Sequence, residues 1–235
     1  MNASSVRDVS AVEGGHAAQF PNAAVAENRW VDAEHARAYL GARDQIPYRA
    51  QGMTALAEFL PAEVERVLDL GTGDGVTLAL VRELRPGVGA IGADFSAEML
   101  ARARARFDGD DRVEVVAHDL DRPLPAAWGT FDLVVSSFAI HHVSDARKRN
   151  LYGEVHDRLR PGGTFLNLEH VASPTPALHA DFLAALGIDP TDDDPSNLLA
   201  PVGEQLDWLR AAGFAHVDCH WKWRELALLA GVRPA

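Results

Sequence analysis

Glu65-Arg66-Val67-Leu68-Asp69-Leu70-Gly71-Thr72-Gly73-Asp74-Gly75-Val76 is the stretch from which the rest of the 235-residue chain can be read. An apolar strand pattern runs into three alternating glycines and then into a helical pattern. Val67, Leu68 and Leu70 suit a parallel strand covered on both faces, with Asp69 at its carboxyl end. Gly71, Gly73 and Gly75 leave room where the backbone must turn sharply and a ligand must come close. In an open α/β sheet, ligands bind outside the carboxyl ends of the strands, where this loop would lie.

Outward from that stretch, strand and helix patterns alternate. Strand patterns cover 66–70, 90–94, 113–117, 133–136 and 164–168, and helical patterns cover 75–84, 97–107 and 146–159. Such alternation predicts an α/β fold, a doubly wound and mostly parallel sheet with helices on both faces. Pro161-Gly162-Gly163 reads as a stop and turn before the fifth strand. The 173–201 stretch breaks the rhythm with Pro174, Pro176, Pro190, Pro195, Pro201 and the acidic run Asp192-Asp193-Asp194, around a helical pattern at 177–186. It reads as a lid-like insertion beside the pocket mouth, placed to shape substrate choice. A helix at 204–212 and strands at 217–220 and 225–229 then close the chain as a C-terminal antiparallel hairpin.

Upstream, residues 1–26 lack periodicity and read as a flexible segment or a flap over a ligand. Helical patterns at 30–39 and 45–60 suggest a cap that could point Trp30, Tyr39, Arg43, Tyr48 and Arg49 inward. The chain is thus expected to divide into a flexible segment with cap helices at 1–60 and a ligand-binding domain at 61–235.

Composition narrows the function classes. No apolar run approaches the roughly 20 residues of a membrane span, and no basic start with an apolar core marks a secretory signal. The single cysteine, Cys219, excludes an intrachain disulfide framework, fits a cytoplasmic chain and reads as a small core residue. A net charge of −12 argues against binding nucleic acid through its phosphates. The basic clusters Arg102, Arg104, Arg106 and Arg147-Lys148-Arg149 read as solvated helix faces. A small-molecule partner is favoured.

The glycine loop alone is ambiguous, because dinucleotide-binding folds also carry glycines after a first strand. Here the spacing is GxGxG, with Val76 where the last glycine of the GxGxxG fingerprint belongs. Asp74 stands where a pyrophosphate would approach the helix N-terminus, which disfavours phosphate and suits a ligand bearing an ammonium or sulfonium. Asp94, ending the second strand pattern, can accept both hydroxyl protons of a ribose, leaving helix capping to Ser96. Phe95 and Met99 could pack against the faces of an adenine. Asp119 could accept from an adenine amino group, while His118 or Leu120 offers a backbone N–H to a ring nitrogen.

Taken together, 67–76, 92–99, 118–120, 131–143 and 159–165 resemble class I S-adenosylmethionine-dependent methyltransferases, over about residues 55 to 170. The resemblance implies a seven-stranded, mostly parallel sheet that binds S-adenosylmethionine at its strand ends and releases S-adenosylhomocysteine. It implies that Asp69 belongs to the cofactor loop, that Gly71, Thr72 and Gly73 line the methionyl part, that Asp94 holds the ribose, and that Asp119 reads the adenine. It also implies that the loop after the fourth strand passes the methyl group, so that Ser136, Ser137 and Phe138 touch the cofactor.

In that loop His141 or His142 is a candidate general base, and His170 after the fifth strand faces the same cavity. Glu169-His170 with His141 or His142 could offer ligands to a divalent metal, but no metal is expected. His216 and His220 read as structural, and Trp208, Trp221 and Trp223 as core. The expected function is methyl transfer to O, N or C of a small molecule by in-line displacement. The alternatives are another transformation of S-adenosylmethionine on the same fold, or a cofactor-binding regulatory protein without catalysis. The oligomeric state is not legible.

Overall fold

The computed structural model describes residues 46–235 together with Glu34 and Gly41. The expectations for 1–26 and for Trp30, Tyr39 and Arg43 lie outside the described residues. Helix α1 (Arg49–Glu58) precedes strand β1 (Arg66–Leu70). There follow α2 (Val76–Leu84), β2 (Gly89–Asp94), α3 (Ala97–Arg106), β3 (Val113–Ala117) and β4 (Phe131–Ser137). After β4 come a short 3₁₀ turn (Ile140–His142), α4 (Asp145–Arg158), β5 (Leu159–His170), α5 (Pro176–Leu186), α6 (Val202–Ala211), β6 (Ala215–Trp223) and β7 (Leu226–Val232).

All seven strands form one sheet in the order β3-β2-β1-β4-β5-β7-β6. The pairs from β3 through β5 are parallel, and β7 runs antiparallel to both its neighbours. Strand order reverses between β1 and β4, so a crevice opens where the chain leaves Leu70 and Ser136, which face each other in the register.

Alternation along the strands divides the core into two layers. Leu68, Leu70, Val134, Phe165 and Leu229 pack on one face against Leu151, Tyr152 and Val155 of α4 and Leu209 of α6. Val67, Leu133, Val135, Leu166, Leu168 and Leu228 pack on the other against Leu56 of α1 and Leu78 and Val81 of α2. A continuous apolar strand such as β1 is what a sheet buried on both sides requires.

Four expectations are corrected. Pro161-Gly162-Gly163 does not precede the fifth strand. Pairing of Leu159 with Phe131 starts β5 early, and the proline and glycines form an irregularity inside it, with Gly162 at φ 81°. Glu225 does not begin the last strand but sits, fully buried, in the turn between β6 and β7.

Arg102, Arg104, Arg106 and Arg149 lie on exposed helix faces as expected, but Arg147 and Lys148 do not. Lys148 is 1% exposed and holds Asp145 Oδ1 at 2.9 Å and the Leu198 carbonyl. Arg106 pairs with Asp74 at 2.9 Å, and Arg147 is bidentate to Glu154. What draws Lys148 and Arg147 inward lies outside the local pattern, at the Leu198 carbonyl and at the Leu120 and Arg122 carbonyls. Tyr48 does not turn inward: its ring stacks on Trp223 with centroids 4.5 Å apart.

The 173–201 segment leaves and returns at one place, where Ala172 N–H donates to the Ala200 carbonyl at 3.0 Å. Phe182 and Leu183 of α5 bury against Leu226, Trp221 and Trp223. No helix among the described residues is long and apolar enough to cross a membrane.

Candidate active site

The strand ends around β1 enclose a cleft of about 840 Å³, open mouth included. Gly71, Thr72 and Gly73 form its floor. Asp94, Phe95 and Met99 come from the end of β2 and the start of α3. His118, Asp119, Leu120 and Asp121 follow β3; Ser137, Phe138, Ala139, His142 and Val143 follow β4. Arg49 of α1 closes one side, its guanidinium 4.6 Å above the Phe138 ring.

Local chemistry explains the loop. Gly71 and Gly73 have φ of 67° and 56°, values that L side chains resist. A Cβ on Gly71 would collide with the Ala139 side chain, whereas one on Gly73 would meet nothing within 4 Å and enter the cleft. Asp94 organises the floor from β2: its Oδ2 accepts from Gly73 N–H at 2.9 Å and its Oδ1 from Ser96 N–H at 2.8 Å. Ser96 does occupy the N-cap of α3 but makes no side-chain capping bond, and its own backbone N–H is held by the Asp94 carboxylate. Burial raises the Asp94 pKa, against the opposing pull of those amide bonds.

Three predicted residues stand one layer back. Asp69 is fully buried and accepts from Thr72 Oγ1 at 2.7 Å, and its other oxygen has no hydrogen-bond partner. Ser136 is fully buried and donates to the Leu70 carbonyl at 2.8 Å, tying β4 to the end of β1. His141 packs behind the rim, its Nδ1 2.5 Å from Glu169 Oε1. His170 lies further off, Nε2 bonded to Glu225 Oε2 at 2.9 Å. Of the three candidate bases, only His142 lines the cleft. Among the described residues no cluster of three or more ligating side chains could hold a metal ion.

Burial pushes the Asp69 carboxyl up to about 7, aided by nearby Asp94, against the Thr72 bond. Glu169 is likewise raised to about 7 by burial. An acid whose folded pKa exceeds its unfolded one binds more protons when folded, so stability falls as pH rises between the two values. From these two acids stability should fall between about pH 4 and about pH 7, opposed by His142, whose pKa burial lowers to about 3 and which makes stability rise with pH over much of the same window. Asp69→Asn should remove part of the falling contribution and so turn the slope upward. Unfolding scans at several pH values would show an unchanged slope if Asp69 were not the source.

Asp74 carries less of the charge argument than its position suggests. Arg106 holds it through both its carboxylate and its carbonyl, at 2.9 and 2.7 Å. The acidic character of the cleft rests instead on Asp94, Asp119 and Asp121 together.

Sequence reasoning missed the support behind the 118–124 loop. Arg147 of α4 donates to the Leu120 carbonyl at 2.6 Å and the Arg122 carbonyl at 2.8 Å, while Glu154 accepts from Leu124 N–H at 2.9 Å. Nothing local marks these residues, since their partners lie 25 to 30 positions away. Arg147→Met should loosen this loop and weaken S-adenosylhomocysteine binding by about 1 kcal/mol, measurable by calorimetry. Unchanged affinity would make the pair a purely structural one.

The methyltransferase domain family matches residues 67–163. A demethylmenaquinone methyltransferase from Clavibacter sepedonicus is 35% identical over 192 residues, covering 74% of this chain and 76% of that protein. A carboxy-S-adenosyl-L-methionine synthase from Methylococcus capsulatus is 25% identical over 210 residues, covering 80% and 86%. An O-methyltransferase family protein from Burkholderia thailandensis superimposes with a TM-score of 0.68 at 25% identity, over 89% of this chain and 63% of that one. This chain therefore spans somewhat less than two thirds of that solved protein. The fold, the cleft at the strand ends and these likenesses agree: the chain belongs to the class I S-adenosylmethionine-dependent methyltransferases.

Proposed function

We propose that this protein transfers a methyl group from S-adenosylmethionine to O, N or C of a small molecule in the cleft above Gly71–Gly73. One observation carries the reading. The open space at Gly73 belongs to a cleft whose lining also holds Asp94, Asp119 and His142. That set fits an adenosyl ligand: Gly71, Thr72 and Gly73 admit the methionyl part, Asp94 accepts ribose hydroxyls, Asp119 accepts the adenine amino group, and Phe95 and Met99 flank the ring. The carboxylates of Asp94, Asp119 and Asp121 in the cleft lining favour a cationic ligand.

When bound, the cofactor supplies an electrophilic methyl carbon for in-line displacement. The chain's own part is to align the acceptor and exclude water, which can account for much of the rate. The 173–201 segment is read as a lid-like insertion on a 61–235 domain, and α1, which brings Arg49 to the cleft, as part of a cap. Net charge −12 supports a small-molecule acceptor over nucleic acid, and the single cysteine supports a cytoplasmic setting.

Calorimetry with S-adenosylmethionine, S-adenosylhomocysteine and NADH tests the ligand, with S-adenosyl binding expected and nicotinamide binding alone contradicting it. Methyl-labelled S-adenosylmethionine offered with catechol, aniline and acetylacetone then tests O, N and C transfer by mass spectrometry. Consumption of the donor without methylated product would favour another transformation of S-adenosylmethionine. Binding without consumption would favour a regulatory protein.

A further inference from the structure

The turn that joins β6 to β7 holds a carboxylate with no exposed surface, Glu225. Three donors meet it: His170 Nε2 at 2.9 Å on one oxygen, His179 Nδ1 at 2.9 Å on the other, and the Ser173 hydroxyl. Burial works to raise its pKa, but these bonds together hold it below the usual carboxylate range, so Glu225 is ionised. His179 belongs to α5, and its second nitrogen also faces an acid, with Nε2 3.3 Å from Asp193 Oδ2. A carboxylate only accepts, so both ring nitrogens must carry hydrogen for both bonds to exist. His179 is therefore an imidazolium in this arrangement, and its charge joins α5, the buried turn and the acidic run.

Of the charged groups on the elements around this ring, Asp181 lies on α5 itself, Arg224 on the turn, His170 at the end of β5, and Asp192 and Asp194 beside Asp193. Arg224 donates to the Asp181 carbonyl at 3.0 Å. Burial pushes the His179 pKa down, but the Glu225 and Asp193 carboxylates outweigh it and hold it above the usual 6.5. The folded arrangement thus favours the proton. Its contribution is complete below about pH 6.5 and is lost as pH rises through the raised value.

We propose that His179 is a pH-dependent clasp: as an imidazolium it pins the acidic run 192–194 against α5, and on losing the Nε2 proton it lets that run go. The proton leaves from Nε2 because Glu225, shut off from solvent, needs the donor on Nδ1, while Asp193 is 33% exposed and can turn to water. A lone pair on Nε2 then faces the Asp193 carboxylate and repels it. The released stretch runs on into Ser196, whose carbonyl lies 3.2 Å from Nδ1 of His142 in the cleft lining. Phe182 and Leu183 keep α5 itself docked on Leu226, Trp221 and Trp223, so the change is confined to the limb beyond the helix. The clasp does not depend on what the cleft catalyses.

Nuclear magnetic resonance on the uniformly labelled full chain tests it. The His179 ring is expected to titrate above 6.5. Backbone order parameters over 191–194 should stay near the rigid value of about 0.85 below that pKa and fall toward about 0.6 above it, with those of β5 and β7 unchanged. Asp193→Ala should lower the His179 pKa and leave the run at the lower order parameters on both sides of it. A wild-type pKa at or below 6.5 would overturn the proposal, as would order parameters that do not change across the titration, or an unaltered His179 pKa in Asp193→Ala. If Asp193→Ala does not fold, the two wild-type measurements decide.

Discussion

Asp94→Ala should weaken S-adenosylhomocysteine binding by about 1–3 kcal/mol, roughly 5- to 150-fold in Kd. Two losses combine. The carboxylate is the group proposed to accept the ribose hydroxyls, and it also pins Gly73 N–H and Ser96 N–H, so its removal loosens the floor of the cleft as well as its wall. Asp94→Asn keeps one acceptor oxygen in place and should fall between wild type and alanine. Calorimetry on variants shown to be folded by thermal melting provides the check. Unchanged affinity in a folded Asp94→Ala would remove this residue from the binding site.

The second large effect belongs to Gly71→Ala. At φ 67° an L residue is strained by about 1–2 kcal/mol, and the added methyl would also drive into the Ala139 side chain. Together these should cost about 2–4 kcal/mol of stability, read by chemical denaturation. Gly73→Ala is the control, with similar strain at φ 56° but open space before it. It should fold with only the backbone penalty and lose cofactor affinity, since its methyl enters the cleft. Equal stability of the two variants would contradict the close β1–β4 approach.

Much of the fold was legible because buried parallel strands are written as local apolar runs. The pattern at 66–70 and the pattern at 113–117 coincide with β1 and β3. The start of β5 was hidden because Pro161-Gly162-Gly163 is turn chemistry when read locally, while Phe131, paired with Leu159, lies far away in sequence. The site divides along a similar line. Thr72, Asp94, Phe95, Met99, Asp119 and Ser137 line the cleft, as do Gly71, Gly73, His118, Leu120 and His142.

Asp69 and Ser136 stand behind it, because a run that ends a strand shows where the chain turns but not which face each side chain takes. Ser136 spends its hydroxyl on Leu70, and Asp69 faces Thr72. Arg147 and Ser196 were out of reach, since what matters about them is a partner 25 or more residues away.

The 173–201 segment leaves and returns at the Ala172–Ala200 bond, and Phe182 and Leu183 pin its middle against Leu226, Trp221 and Trp223. Its ends meet at one point, so the length between its buried anchors can change while the strands beneath keep their register, since loop-closure entropy grows only slowly with length. None of that segment's residues is in the lining of the Gly71–Gly73 cleft, so such changes leave the cleft floor constant.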